Sequence, residues 1–302
     1  MQQSIVVFGD LNLDTSVSIE QFPLALGDTL FRFDGINDDI GGAATNVAVG
    51  LTALGHAVHF ASVVGTDHLA ELVVQIAQTK GLAAQYIRRD WQTTSRTVVL
   101  IDHEGNRQCI NDPKQVHHYR YPETALSTIF AQSQWVYCAT QHWCRYVAQA
   151  AHDAGKHVIV DVQALVNIDD YHRDFLQAAS IVLLSSEQLA MHSHEFIHVL
   201  WREFDVELVV ATHGKHGATL GVRSTKYIEY QPAFNLGSVV DKTGAGDAFC
   251  AGFIAGLASD LPPQQALNVG QYVAASKIGV KGSTNGFPNR NQVFQALNCN
   301  LA

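Results

Sequence analysis

The residues Asp241-Lys242-Thr243-Gly244-Ala245-Gly246-Asp247 place an acid, two glycines and a second acid at the start of what reads as an amphipathic helix. Backbone N–H groups at Gly244, Ala245 and Gly246 would lie open at the helix N-terminus, where the macrodipole and the orphan donors favour an anion. A carboxylate at Asp247 beside a bound polyphosphate would be repelled unless it had a proton to accept. The chemistry that suits this spacing is therefore phosphoryl transfer with an acid as general base. A capped helix after a Gly-rich turn is the plainer reading of the same residues.

The N-terminal half carries a second set. An apolar run at Ile5–Phe8 leads into Asp10, Asn12 and Asp14, three polar groups at alternate positions that project from one side of an extended strand. Further on, Gly41 and Gly42 open a helix in which Asn46 stands one turn in, facing whatever approaches the glycine backbone. Carboxylates and carboxamides around a small cavity suit a neutral polyol, because each hydroxyl needs a partner once water is excluded. Helix and turn chemistry alone is the alternative.

Positioning these groups requires a large scaffold. The chain has 302 residues, 47% hydrophobic and 16% charged, enough to bury the core of one sizeable α/β domain. Short apolar runs at Ile5–Phe8, Val58–Val63, Trp135–Cys138, His157–Asp161, Ile181–Leu184 and Leu208–Ala211 alternate with helical stretches near 43–54, 67–79, 122–131, 143–153 and 262–278. That rhythm predicts βαβ units and a mostly parallel sheet. Residues 15–40 and 93–112 break it with β-rich segments, the second folding about His103–Asn106, and predict a small separate sheet acting as a lid. The formal charge of −9 argues against a nucleic-acid or anionic-membrane surface. No apolar run reaches membrane-spanning length, and Met1-Gln2-Gln3-Ser4 lacks a basic region ahead of its apolar stretch, so a cytoplasmic protein is expected. The five cysteines have no C-x-x-C spacing and read as reduced thiols.

With these residues in view, the chain resembles the PfkB family of carbohydrate kinases, also called the ribokinase family, over nearly its whole length. Gly41-Gly42 with Asn46 resembles one family signature, Asp241-x-Thr243-Gly244-Ala245-Gly246-Asp247 another, and Thr212-His213-Gly214 through Gly217 the nucleotide-binding turn. The resemblance implies a three-layer ribokinase-like fold in a single domain over 1–302, with lid strands at about 15–40 and 93–112. It implies ATP as donor, Asp247 as catalytic base and the 244–247 amides as an anion hole for the transferred phosphoryl. Asp10, Asn12, Asp14, Gly41, Gly42, Asn46 and Asn111 fall on the acceptor side. Thr212, Gly214, Gly217, Lys242 and Thr243 fall on the nucleotide side. Mg2+ would arrive with ATP, held mostly through water. Potassium would sit beside Asp241, Thr243 and the loop Val280–Gly286, and a homodimer would form through the lid.

The chain also departs from the family pattern. Where Asn-x-x-Glu is common, it has Ser185-Ser186-Glu187-Gln188, which leaves Glu187 one position off for the water shell of Mg2+. Lys242 replaces a small or hydroxyl residue. Three other functional classes suit the sequence less well. His194-Glu195-Phe196-Ile197-His198 is a literal H-E-x-x-H, the helix pattern of zinc hydrolases, but Trp201 and Phe204 stand where an extended motif wants Gly and His. A dinucleotide oxidoreductase would need G-x-G-x-x-G after the first strand, where Gly9 stands alone. A sugar-binding module would have no use for Asp247 and its turn.

The acceptor is read as a neutral ketohexose or pentose, because the segment from Gly41 to Asn46 carries no Lys or Arg and resembles fructokinase-like members. The turn Gly27-Asp28-Thr29 places an acid where an anion-binding relative would place a cation. A ribonucleoside is the alternative, as is a phospho- or sulfosugar, since Arg32, Arg96, Arg107 and Lys114 lie in or beside the lid and Ile110–Pro113 resembles sulfosugar kinases.

Overall fold

A computed structural model describes residues 3–27, 29–237, 239–299 and 301. In chain order the strands are β1 (Ile5–Phe8), β2 (Asn12–Ser18), β3 (Ile36–Gly41), β4 (Val58–Gly65), β5 (Tyr86–Trp91), β6 (Arg96–Ile101), β7 (Arg107–Asp112), β8 (Trp135–Ala139), β9 (His157–Ala164), β10 (Ile181–Ser185), β11 (Leu208–Thr212), β12 (Ala218–Val222) and β13 (Tyr227–Gln231). The α-helices are α1 (Ala43–Ala53), α2 (His68–Thr79), α3 (Glu123–Phe130), α4 (Cys144–Asp153), α5 (Asp170–Ala178), α6 (Ser193–Glu203), α7 (Ala245–Ala258), α8 (Pro263–Lys277) and α9 (Arg290–Leu297).

Nine strands form one sheet in the order β13-β12-β11-β10-β9-β8-β1-β4-β5, parallel except where β12 and β13 close one edge as antiparallel strands. The apolar runs are continuous because both faces of the sheet are covered. In β1, Ile5 and Val7 enter one core cluster with α1, α7 and α8, whereas Val6 and Phe8 enter the other with α3, α4 and α6. The result is a three-layer arrangement, helices on both faces of the mostly parallel sheet that the alternation predicts.

A second sheet, in the order β3-β2-β6-β7, stands apart. Its β2 begins just past the end of β1, so the small sheet grows from the carboxyl edge of the large one, where open α/β sheets bind ligands. The hairpin β6–β7 is closed by Asp102, whose carboxylate accepts the backbone N–H groups of Glu104 and Asn106 at 3.0 and 2.8 Å. Between β2 and β3 the described residues form no strand. That stretch leaves Leu26, Phe31 and Phe33 exposed. The acid at position 28 that entered the acceptor argument lies outside the described residues.

One local expectation fails. The helix that follows Gly244 is not amphipathic: every residue of α7 from Ala248 to Ala258 is buried, because α1 packs on one side and α8 on the other. Gly252 and Gly256 permit that closeness, since a Cβ at either would lie 2.9 or 2.7 Å from α8 backbone.

Candidate active site

Asp247 sits in the first turn of α7, and Asn46 in the first turn of α1. The Asn46 Nδ2 donates to Asp247 Oδ2 at 2.7 Å, joining two segments 201 residues apart. Burial pushes the Asp247 carboxyl up to about 6, with Asp10 adding to the rise and the Asn46 hydrogen bond, Arg107 and Lys277 opposing it. A carboxylate so placed is ionised near neutrality and still basic enough to take a proton.

Around Asp247 the N-terminal polar groups converge. Asp10 accepts the Asn12 amide at 3.3 Å and the Ala44 N–H at 3.4 Å, while its own carbonyl accepts the Thr45 hydroxyl at 2.7 Å. These bonds tie the end of β1 to the start of α1. Both glycines ahead of α1 are required by space: a Cβ on Gly41 would lie 1.7 Å from Asp14 Oδ2, and one on Gly42 would lie 2.4 Å from Asp10 Oδ2. Gly42 also has a φ of 106°, in the region that favours glycine. Burial pushes Asp14 up to about 7, with the charges of Asp10, Asp39 and Asp247 contributing, and burial likewise raises Asp10. Asp14 Oδ1, Asn46 Oδ1 and the Tyr137 hydroxyl are buried without hydrogen-bond partners among the described residues. Polar atoms buried without partners suit a ligand rich in hydroxyls.

The turn ahead of α7 differs in one respect from its expectation. Ala245 N–H is not open, since it donates to Lys242 O at 3.2 Å and closes the turn. The N–H groups of Gly246 and Asp247 have no partner among the described residues, and nothing lies within 4 Å of where a Gly246 Cβ would stand. Two unpaired donors thus stand at the N-terminus of a 14-residue helix, as an anion would need. Gly244 adopts φ 76° as N-cap. Asp241 holds the preceding loop: its carboxylate accepts Thr243 N–H and Gly282 N–H, each at 2.8 Å. Burial would raise that carboxyl, but these donors and the Lys277 charge hold it below the ordinary range.

Thr212, Gly214 and Gly217 lie where β11 turns toward β12. His213, which the sequence reading passed over, fixes this turn: its Nδ1 pairs with Ser186 Oγ at 2.6 Å and its Nε2 with Thr219 Oγ1 at 2.8 Å. Burial lowers the His213 ring below its ordinary value. Glu187 is exposed beside the turn, its Oε1 3.0 Å from where a Gly214 Cβ would stand. Asn111 stands on β7, opposite Thr97 of β6 and exposed, without a hydrogen bond to the acid cluster.

Two buried charges near Asp247 went unread in the sequence. Asp161 closes the core portion of β9, and burial lifts its carboxyl to about 7 with help from the Asp247 charge. An acid ending an apolar strand was the available signal. Lys277, the last residue of α8, is fully buried. The H-E-x-x-H segment forms part of α6, which buries Phe196, Ile197, Leu200 and Trp201 and leaves His194, Glu195 and His198 exposed. Among the described residues no group of three metal-ligating side chains forms there.

Comparison with known proteins gives this geometry its context. The ATP-dependent ribose-1-phosphate kinase of Halopiger xanaduensis is 26% identical over 278 residues, covering 91% of this chain and 92% of the relative. A fructokinase of Escherichia coli is 26% identical over 280 residues, covering 84% and 90%. The solved structure of a microbiome-derived acarbose kinase superposes with a TM-score of 0.89 at 25% identity, over 99% of this chain and all of the other. The family model for pfkB family carbohydrate kinases matches residues 2–290, and the chain belongs to that family.

Proposed function

We propose that this ATP-dependent carbohydrate kinase transfers the γ-phosphoryl group to a hydroxyl of a small neutral sugar, a ketohexose or pentose, with Asp247 as general base. The reading rests above all on the Asn46–Asp247 contact, which sets the base against the acceptor-side cluster. The acceptor hydroxyl gives its proton to Asp247 as its oxygen attacks phosphorus. The N–H groups of Gly246 and Asp247, with the turn from Gly244, stabilise charge on the phosphoryl oxygens. Asp10, Asn12, Asp14 and Asn46 hold the other hydroxyls, with Gly41 and Gly42 giving them room, and the small sheet with Asn111 closes over them as the lid of a single kinase domain. Thr212, Gly214, Gly217, Lys242 and Thr243 take the nucleotide. Mg2+ arriving with ATP would neutralise phosphate charge, and Glu187, at the edge of the nucleotide turn, would help hold its water shell.

The carboxylates of Asp10 and Asp14, with Asp247 beside them, disfavour an anionic acceptor by like-charge repulsion. One observation favours the charged alternative: Arg107, on the lid, acts on Asp247 as a nearby positive charge. A ribonucleoside remains the other reading, through its ribose hydroxyls. A phosphorylation screen of free sugars, nucleosides and sugar phosphates with Mg-ATP separates them. A neutral sugar preferred over every phosphosugar supports the proposal, and the reverse order overturns it in favour of Arg107 as an anion's partner.

The exposed apolar side chains of the small sheet and its connection, among them Leu26, Phe31, Phe33 and Ile36, are best covered by a second copy of the chain, which gives a homodimer through the lid. Light scattering at micromolar concentration tests it, and a monomer mass rejects it. The cytoplasm is the compartment we assign, where ATP is supplied and the five free cysteines stay reduced.

A further inference from the structure

Lys277 has a relative exposure of 0%, rare for a lysine. Burying an ammonium costs several kcal/mol unless charge and hydrogen bonds compensate it. The usual compensation is a carboxylate in direct contact. Here Nζ instead approaches a main-chain carbonyl, Asp241 O, at 3.5 Å, while the Asp241 carboxylate is taken up by the N–H groups of Thr243 and Gly282. The chain wraps the lysine from both sides. Val240 and Asp241 N–H donate to Ile278 O at 2.8 and 3.1 Å, and Val280 N–H donates to Lys277 O at 3.1 Å. Asp241 and Asp247 both feel its positive charge, and so does Arg107 from the lid.

This is the place where the sequence led us to expect potassium, between Asp241, Thr243 and the loop from Val280 to Gly286. The Thr243 hydroxyl oxygen is buried without a hydrogen-bond partner among the described residues, but one such oxygen does not make a site for that ion. An alkali ion needs several oxygens free to turn toward it, and both Asp241 carboxylate oxygens already accept backbone donors while the Asp241 carbonyl faces the ammonium. A second cation brought there would also meet the charge of Lys277 at close range.

We propose that the ε-ammonium of Lys277 is a built-in monovalent cation, standing beneath the anion-binding turn in place of a bound alkali ion, so that this kinase works without potassium. Lys277 is a positioning residue. With no surface exposed, it reaches the phosphoryl group only through the Asp241–Asp247 loop, by fixing the Asp241 carbonyl and by adding positive potential under the Gly246 and Asp247 amides. The proposal rests on the reading of those amides as the phosphoryl site.

The test uses the full chain in KCl, NaCl and tetramethylammonium chloride at equal ionic strength. Turnover, Mg-ADP affinity by calorimetry and the ligand-free melting temperature are read in each salt. Wild type should give the same values in all three, within about twofold for turnover and affinity. Lys277→Ala should lose roughly tenfold or more in kcat and regain part of it in KCl or NH4Cl but not in tetramethylammonium chloride. Its melting temperature should rise with the same ions. Lys277→Met, which fills the space without charge, should lose activity and gain nothing from any salt. Activation or stabilisation of wild type by potassium overturns the proposal, as does parental kcat in Lys277→Met, and the wild-type comparison decides even where a variant fails to fold. Absence of Mg-ADP binding in every salt counts against the kinase reading instead, while the melting comparison still settles the cation.

Discussion

On the proposed acceptor side of Asp247, Asp10, Asp14 and Asn46 are drawn into the junction of β1, β2 and α1, and two of their side-chain oxygens are buried without partners among the described residues. On the proposed nucleotide side, Glu187 and Lys242 are exposed, and Thr212 to Gly217 form a turn pinned by His213. The contrast follows from what each side would hold. Hydroxyls of a sugar are neutral and directional, so the protein must bury its own polar groups in advance at a cost in desolvation. Phosphates carry charge and arrive with metal and water, so backbone donors and an open rim suffice. Substitutions on the acceptor side should therefore act strongly and through specific atoms, and those on the nucleotide rim weakly.

Asp247→Ala is the largest test. It should lower kcat by about 10³-fold while leaving acceptor and nucleotide binding nearly intact, because a base acts in the transition state. Steady-state kinetics with calorimetric binding measures both, and near-parental turnover at saturation would break the assignment.

Asn46→Ala comes next, at about tenfold in kcat/KM near pH 6.5, in line with a hydrogen bond to a charged group. In wild type the rate should rise with pH through about 6 as Asp247 loses its proton. Asn46 stabilises the charged form, so its loss moves that rise to higher pH. A pH profile that scales down without shifting would mean that Asn46 serves the acceptor alone.

Asp161→Asn bears on stability. The Asp161 carboxyl is raised from 3.8 to about 7, so the folded state binds its proton more tightly than the unfolded chain does. Its contribution to stability is full below the ordinary value and lost as pH rises to about 7, where the buried carboxylate becomes a net cost. The Asn variant should be more stable at pH 8 by on the order of 2 kcal/mol, seen as a melting temperature several degrees higher, with the gain fading toward pH 5. An equal shift at both pH values would point to packing.

Lys242→Ala should be the mildest. Its side chain is exposed, and KM for ATP should rise no more than about threefold, more at low salt than at high. A loss as large as that of Asn46→Ala would erase the distinction between the two sides.

Much of this candidate site can be proposed from sequence because its signals are local. A pair of glycines before a helix, acids at alternate positions along a strand and a Gly-rich turn ending in Asp247 are patterns within a few residues, and each reflects a constraint that the neighbouring backbone imposes. The alternation of apolar runs with helical stretches fixed the large sheet for the same reason, whereas β5, β12 and β13, which are short and partly polar or at an edge, carry weaker patterns. Three matters were decided only in three dimensions. The helix after Gly244 is buried all round because α1 and α8 close on it, and no periodicity within α7 announces neighbours on both sides. Asp161 joins Asp247 through the order of the strands. Lys277 reads in sequence as an ordinary basic residue at a helix end, yet the fold brings it to the carbonyl of Asp241, 36 residues away. A residue's type sets what charge it can carry; its desolvation and its long-range partners decide what that charge does, and both arise only when distant segments pack.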